Sequence, residues 1–194
     1  MMPLLVQWQI LDSNGVCFPW FTHPMLKVID KWDLTGKVVL EWGGGYSTIW
    51  WASRGAFVHC VETNRDWINS IREELVNKEI SYLAQLDFVE CNEGEVDEIK
   101  RGEYLNARND IRLGPPDIVV VDGILRFECM QEGIKLLSKK GGILIVDNYQ
   151  QDGFICPSCV ELVAPYKGYI YRQEDHTDHH GNPWQTAYWE IPAQ

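Results

Sequence analysis

Ile118-Val119-Val120-Val121 is apolar at every position, so a strand built from it must be covered on both faces. Four other short apolar runs share this character: Lys37 to Trp42, Ala56 to Glu62, Leu86 to Cys91 and Gly142 to Asp147. The fourth of the five runs in chain order spans Asp117 to Asp122. Helical patterns separate them. Trp67, Ile68, Ile71 and Leu75 recur at helical spacing behind Asn64, which is placed to cap. Phe127, Met130, Ile134 and Leu137 do the same before Gly141-Gly142 stops the helix. Strands that alternate with helices form right-handed crossovers and a doubly wound, mostly parallel α/β sheet.

The C-terminal part changes character. Tyr169-Ile170-Tyr171 and Ala187-Tyr188-Trp189 flank a polar segment rich in His, Asp, Gly and Pro, which predicts an antiparallel hairpin with a long loop. The hairpin brings the expected sheet to seven strands. The segment from Asn92 to Pro116 predicts one short helix, ended by Gly114-Pro115-Pro116. No repeat or linker divides the chain, so one domain is expected over 1–194, with an extension and helix over 1–36 and a Rossmann-like core over 37–191.

The first strand runs into Glu41-Trp42-Gly43-Gly44-Gly45-Tyr46-Ser47-Thr48 and then a helix. Glycines at a strand end allow a tight turn and leave room for a ligand, and a helix start offers free N–H groups. Glu62 closes the second strand, where a carboxylate can accept hydrogen bonds from ribose hydroxyls. This pattern points to a nucleoside-containing cofactor across the carboxyl ends of the strands. A dinucleotide fold would have a third glycine at position 48, where this chain has Thr48. Glu41 before the loop suits a cationic ammonium group better than a pyrophosphate.

The Glu-x-Gly-x-Gly segment, Glu62, the strand end at Asp122 and the terminal hairpin resemble class I S-adenosylmethionine-dependent methyltransferases, roughly over residues 37–191. The resemblance implies that the loop of Gly43, Gly44 and Gly45 packs against the methionine part of S-adenosylmethionine; Glu41, directly or through water, and Ser47 are further candidate cofactor contacts. It also implies that Glu62 holds the ribose and that Thr63 lies near adenine. The expected activity is methyl transfer to a small-molecule acceptor, with a hydroxyl preferred. An NAD(P)-dependent oxidoreductase and a non-catalytic cofactor-binding domain remain the alternatives.

Asp122 and the pair Asp147-Asn148 end adjacent strands, and their oxygens suit a hard cation such as Mg²⁺. Here the resemblance extends to metal-dependent, catechol-type O-methyltransferases, which hold a metal at matching strand ends. Asp and Asn also end strands simply because they favour turns. Arg126 departs from the metal-dependent pattern by placing a cation near the site, where it could pair with Asp122 or receive an anionic acceptor. Asp122 and Arg126 are therefore the candidate catalytic residues, and Asp122, Asp147 and Asn148 the candidate metal ligands.

Cys156-Pro157-Ser158-Cys159 and the loop carrying His176, His179 and His180 leave three readings open: a zinc site, a reactive dithiol, or neither. Cys60, Cys91 and Cys129 fall in or beside apolar runs and read as small buried hydrophobes, which suits a reducing cytoplasm. Trp50 and Trp51 read as core. A net charge of −11 disfavours a nucleic-acid backbone as partner. No apolar stretch is long enough to cross a bilayer, and Leu4 to Val6 lacks the basic flank of a signal peptide, so a cytoplasmic location is expected.

Overall fold

The computed structural model describes residues 15–92, 94, 97–107, 114–149, 156–177 and 181–194. Five parallel strands form its centre: β1 (Val38–Trp42), β2 (Phe57–Glu62), β3 (Ala84–Phe88), β4 (Ile118–Val121) and β5 (Gly142–Val146). The long strands β6 (Lys167–Thr177) and β7 (Pro183–Ile191) complete a seven-stranded sheet in the order β3-β2-β1-β4-β5-β7-β6. β7 runs antiparallel to both β5 and β6. The doubly wound sheet with a closing antiparallel hairpin is therefore present as the sequence predicts.

Side chains alternate between two cores, which is why the central strands contain so few polar residues. Val39, Val120 and Ile145 point to one face, where α1 (His23–Ile29), α2 (Tyr46–Ser53) and α3 (Arg65–Asn77) pack. Leu40, Val119 and Leu144 point to the other, against α4 (Glu98–Asn106), α5 (Arg126–Leu137) and α6 (Pro157–Val163). Trp50 and Trp51 are completely buried in the first core, with their rings edge to face at 4.8 Å. Asn64 caps α3 by accepting a hydrogen bond from the Trp67 N–H at 3.0 Å.

Two elements differ from the sequence expectation. β3 begins at Ala84 rather than Leu86 and is only half-buried along its length. It is an edge strand, so it can carry Gln85 and Asp87, and Asp87 pairs with buried His59 at 2.6 Å. β6 is the opposite edge and continues through Gln173 to Thr177, taking in much of the polar segment expected to be loop. An edge strand keeps one ladder of hydrogen bonds while its side chains stay in solvent, so polar composition does not end it. The expected helix between Asn92 and Pro116 is α4, capped by the Asp97 carboxylate on the Ile99 N–H at 2.9 Å. Among the described residues no helix is long and apolar enough to cross a membrane.

Candidate functional site

The strand order reverses direction between β1 and β4, and at their carboxyl ends the turns that follow diverge. There a cavity of about 250 Å³ is lined by Gly43, Gly44, Glu62, Thr63, Tyr104, Asp122, Gly123, Ile124 and Arg126. Six of these, Gly43, Gly44, Glu62, Thr63, Asp122 and Arg126, are residues the sequence singles out. Tyr104, Gly123 and Ile124 are not. Gly123 follows an acid at a strand end, a signal of close backbone approach. Tyr104 sits in α4, and no local pattern connects that helix to the glycine loop.

The glycine loop is shaped by protein contacts on every side. Gly43 has φ +86°, and a Cβ there would lie 2.5 Å from the Gly123 nitrogen and 2.7 Å from the Asp122 carbonyl carbon. Its missing side chain thus lets the turns after β1 and β4 touch at the cavity wall. A Cβ on Gly44 would collide with the Cys60 sulfur. Gly45 rests against the Trp67 indole, whose Nε1–H donates to the Gly44 carbonyl at 2.6 Å.

The loop N–H groups are all engaged. Gly43 donates to the Val61 carbonyl at 2.9 Å, Gly44 to Glu62 Oε2 at 2.9 Å, and Gly45 to Thr48 Oγ1 at 3.2 Å. Glu62 Oε1 accepts from the Thr63 and Asn64 N–H groups at 2.8 and 2.7 Å. The Glu62 carboxylate is thereby locked in one orientation at the cavity wall by three charge-assisted bonds.

Glu41 and Ser47 are buried behind the loop and do not line the cavity. Thr48 Oγ1 donates to Glu41 Oε2 at 2.5 Å, while Glu41 Oε1 has no hydrogen-bond partner. Burial pushes the Glu41 carboxyl up to about 8, against the lowering effect of the Ser47 and Thr48 hydroxyls. A group with that affinity for a proton is largely uncharged at neutral pH. From this position Glu41 is separated from the cavity by the glycine loop.

Asp122, Asp147 and Asn148 converge only in part. Asp122 faces the cavity, where burial pushes its carboxyl up to about 6, Arg126 opposes that shift and Glu62 adds to it. Asp147 is buried, and its carboxylate turns toward β7. It accepts from Thr186 Oγ1 at 2.5 Å and from Trp184 Nε1 at 3.2 Å. Thr186 Oγ1 in turn accepts from the Thr22 N–H at 2.9 Å, so Asp147 ties the entry of α1 to the sheet. Burial holds Asp147 well above the usual carboxylate range, and nearby Asp122 pushes it further. The space between these strand ends is filled by Arg126. Its guanidinium donates to the Asp147 carbonyl, to the Asp122 carbonyl at 3.1 Å, and to Asp122 Oδ1 and Asn148 Oδ1, each at 3.4 Å. Three expected metal ligands thus meet a cation the chain supplies itself. The arrangement does not fit Mg²⁺.

Cys156 is exposed, Cys159 is buried, and their sulfurs lie 3.1 Å apart. Burial first, and then the neighbouring Cys156 thiol, push the Cys159 thiol up to about 12, which disfavours a reactive free thiolate there. His179 and His180, and the side chain of His176, lie outside the described residues. Among the described residues no group of three or more His, Cys, Asp and Glu side chains is placed to hold a metal.

No protein-family model matches the chain, and no curated protein matches it in sequence. Solved structures do match. The O-methyltransferase TomG of Streptomyces achromogenes, determined with S-adenosylmethionine, superposes with a TM-score of 0.60 at 18% identity, over 92% of this chain and 83% of its own. An O-methyltransferase of Bacillus cereus, determined with S-adenosylhomocysteine, gives 0.60 at 16% identity, over 87% and 77%. A candidate rRNA methylase of Clostridium thermocellum gives 0.60 at 15% identity, over 96% and 100%. At these identities the likeness speaks for the architecture, and with the order of strands and the site at its switch point the chain has the fold of the class I S-adenosylmethionine-dependent methyltransferases.

Proposed function

We propose that the chain transfers a methyl group from S-adenosylmethionine to a small-molecule acceptor, with oxygen as the preferred nucleophile. The observation that carries this reading is the state of the glycine loop. All three of its N–H groups already bond to protein oxygens, so none is left for the pyrophosphate of a dinucleotide. The charged side chains of the cavity are Glu62, Asp122 and Arg126, two carboxylates to one guanidinium, which favours a cationic ligand.

When bound, S-adenosylmethionine supplies a methyl group on a positively charged sulfur. The chain's own part is to align the acceptor and take its proton. Glu62, held at the wall, would accept from ribose hydroxyls, and Thr63, which lines the cavity beside it, would meet the base. Asp122, held near 6 and thus mostly ionised at neutral pH, is the cavity group suited to receive a hydroxyl proton. Arg126 fixes that carboxylate and stabilises negative charge developing on the acceptor oxygen. The bound cofactor would supply the methyl group and take the C–S bonding pair on its sulfur, while Asp122 would receive the acceptor's proton. The chain's negative net charge supports a small acceptor over a nucleic acid.

Calorimetry with S-adenosylhomocysteine tests the reading. The chain should bind it, and Glu62→Ala should weaken binding by about 1–3 kcal/mol, the range for a hydrogen bond to a charged group. Binding of NADH with no heat from S-adenosylhomocysteine would overturn the proposal.

A further inference from the structure

We infer that the Arg126 guanidinium is a built-in replacement for a divalent cation, seated in an oxygen shell that would bind a metal if the side chain were removed. The inference rests on the proposed reading only for the role this cation plays in methyl transfer.

Four oxygens from two strand ends bond to this one group: the carbonyls of Asp122 and Asp147, the Asp122 carboxylate and the Asn148 carboxamide. Carbonyl, carboxamide and carboxylate oxygens are the donor set of hard cations. The Arg126 side chain is only 11% exposed. Two backbone features hold the shell in place. Leu125, immediately before Arg126, has φ 50°, and Asn148 has φ 51°. Both are in the left-handed region that a non-glycine residue adopts at a cost. The first aims Arg126 from the start of α5 back across the end of β4. The second turns the Asn148 carboxamide toward the same point.

A dication and a guanidinium in one shell would repel, so the two are alternatives. Asp147 directs its own carboxylate to Thr186 and Trp184, so among the described residues it is the Asp122 carboxylate that meets the guanidinium. Arginine stays charged throughout the accessible pH range. The charge beside the acceptor is therefore permanent and independent of metal supply.

Manganese(II) titration of the full chain tests this, with the electron paramagnetic resonance signal of the free aqua ion as readout. The wild-type protein should take up no stoichiometric ion that depends on Asp122. Arg126→Ala should gain one ion, with a dissociation constant on the order of 10⁻⁴–10⁻³ M as expected for a site with few carboxylates. The double variant Arg126→Ala, Asp122→Asn should lose it again. Arg126→Gln carries the same expectation should the alanine variant not fold. A stoichiometric ion in the wild type that disappears in Asp122→Asn overturns the inference, as does a folded Arg126 variant that gains none. Calorimetry with S-adenosylhomocysteine on the same samples reads the cofactor separately. Failure there sinks the methyl-transfer reading and leaves the manganese result to decide the cation.

Discussion

The carboxyl ends of β4 and β5 lie side by side, each ends in an aspartate, and the two aspartates have different surroundings. Asp122 faces the cavity and meets Arg126. Asp147 turns away and is enclosed by Thr186, Trp184 and the entry to α1. The difference comes from the neighbouring strand. β4 lies between parallel partners and its turn opens on the cavity with that of β1, whereas β5 borders antiparallel β7 on its other side. An antiparallel neighbour arrives from the opposite direction and places its own side chains beside the strand end. The same residue type thus becomes a candidate reacting group in one place and a structural fastener in the other.

The most drastic way to break this comparison is at the turn that joins β1 to β4. Gly43→Val puts a branched side chain into the backbone of Asp122 and Gly123 at a positive φ. It should yield little folded protein, a loss beyond ~4 kcal/mol of the kind reserved for such clashes. A soluble variant with normal melting and merely weaker S-adenosylhomocysteine binding would place the glycine at a ligand instead.

Next in size is Asp147→Ala, which strips the acceptor from the Thr186 hydroxyl and the Trp184 indole. It should lower stability by about 3 kcal/mol, or a Tm drop of ~6–12 °C for a chain of this length. Its affinity for S-adenosylhomocysteine should stay close to that of the wild type. Asp122→Asn should show the converse, with nearly unchanged melting and a loss of turnover once an acceptor is in hand. If Asp147→Ala melted normally and Asp122→Asn did not, the assignment of fastener and reacting group would be reversed.

A smaller effect belongs to Glu41 behind the loop. Its folded-state affinity for a proton lies near 8, above the 4.5 of an ordinary glutamate. A raised value means the folded state binds the extra proton, so Glu41 contributes stability below about 4.5 that disappears as pH rises through 8. Melting curves should fall across that window, and Glu41→Gln should flatten the fall and melt higher than wild type at pH 9. Each kcal/mol recovered corresponds to ~2–4 °C. Parallel pH profiles for the two proteins would show that Glu41 is already paired as an ion.

Much of the architecture was legible because strand burial is a local property. Ile118 to Val121 must face helices on both sides wherever the run is placed, and Asn64 caps its helix through a residue three positions away. The cavity residues Glu62, Thr63, Asp122 and Arg126 were legible for the same reason, since each lies at or just beyond the end of a recognisable strand. Tyr104 was not. It reaches the cavity only because α4 packs beside the end of β1, where the Trp42 indole donates to the Tyr104 carbonyl at 3.2 Å. The extent of β6 was hidden as well, because polar residues on an edge strand look like loop.

The glycines after β1 show both sides at once. Their spacing marked the turn and the switch point, yet what bars a side chain at Gly43 and Gly44 is contact with Gly123 and Cys60, residues from two other parts of the chain. The sequence by itself determined the order of strands and helices and the end of the sheet at which the cavity opens, because both follow from periodicity within each segment. Only the tertiary structure decided which of the two aspartates faces the cavity. The hydroxyl that draws Asp147 away lies 39 residues further along the chain, on a strand that reaches it by running antiparallel.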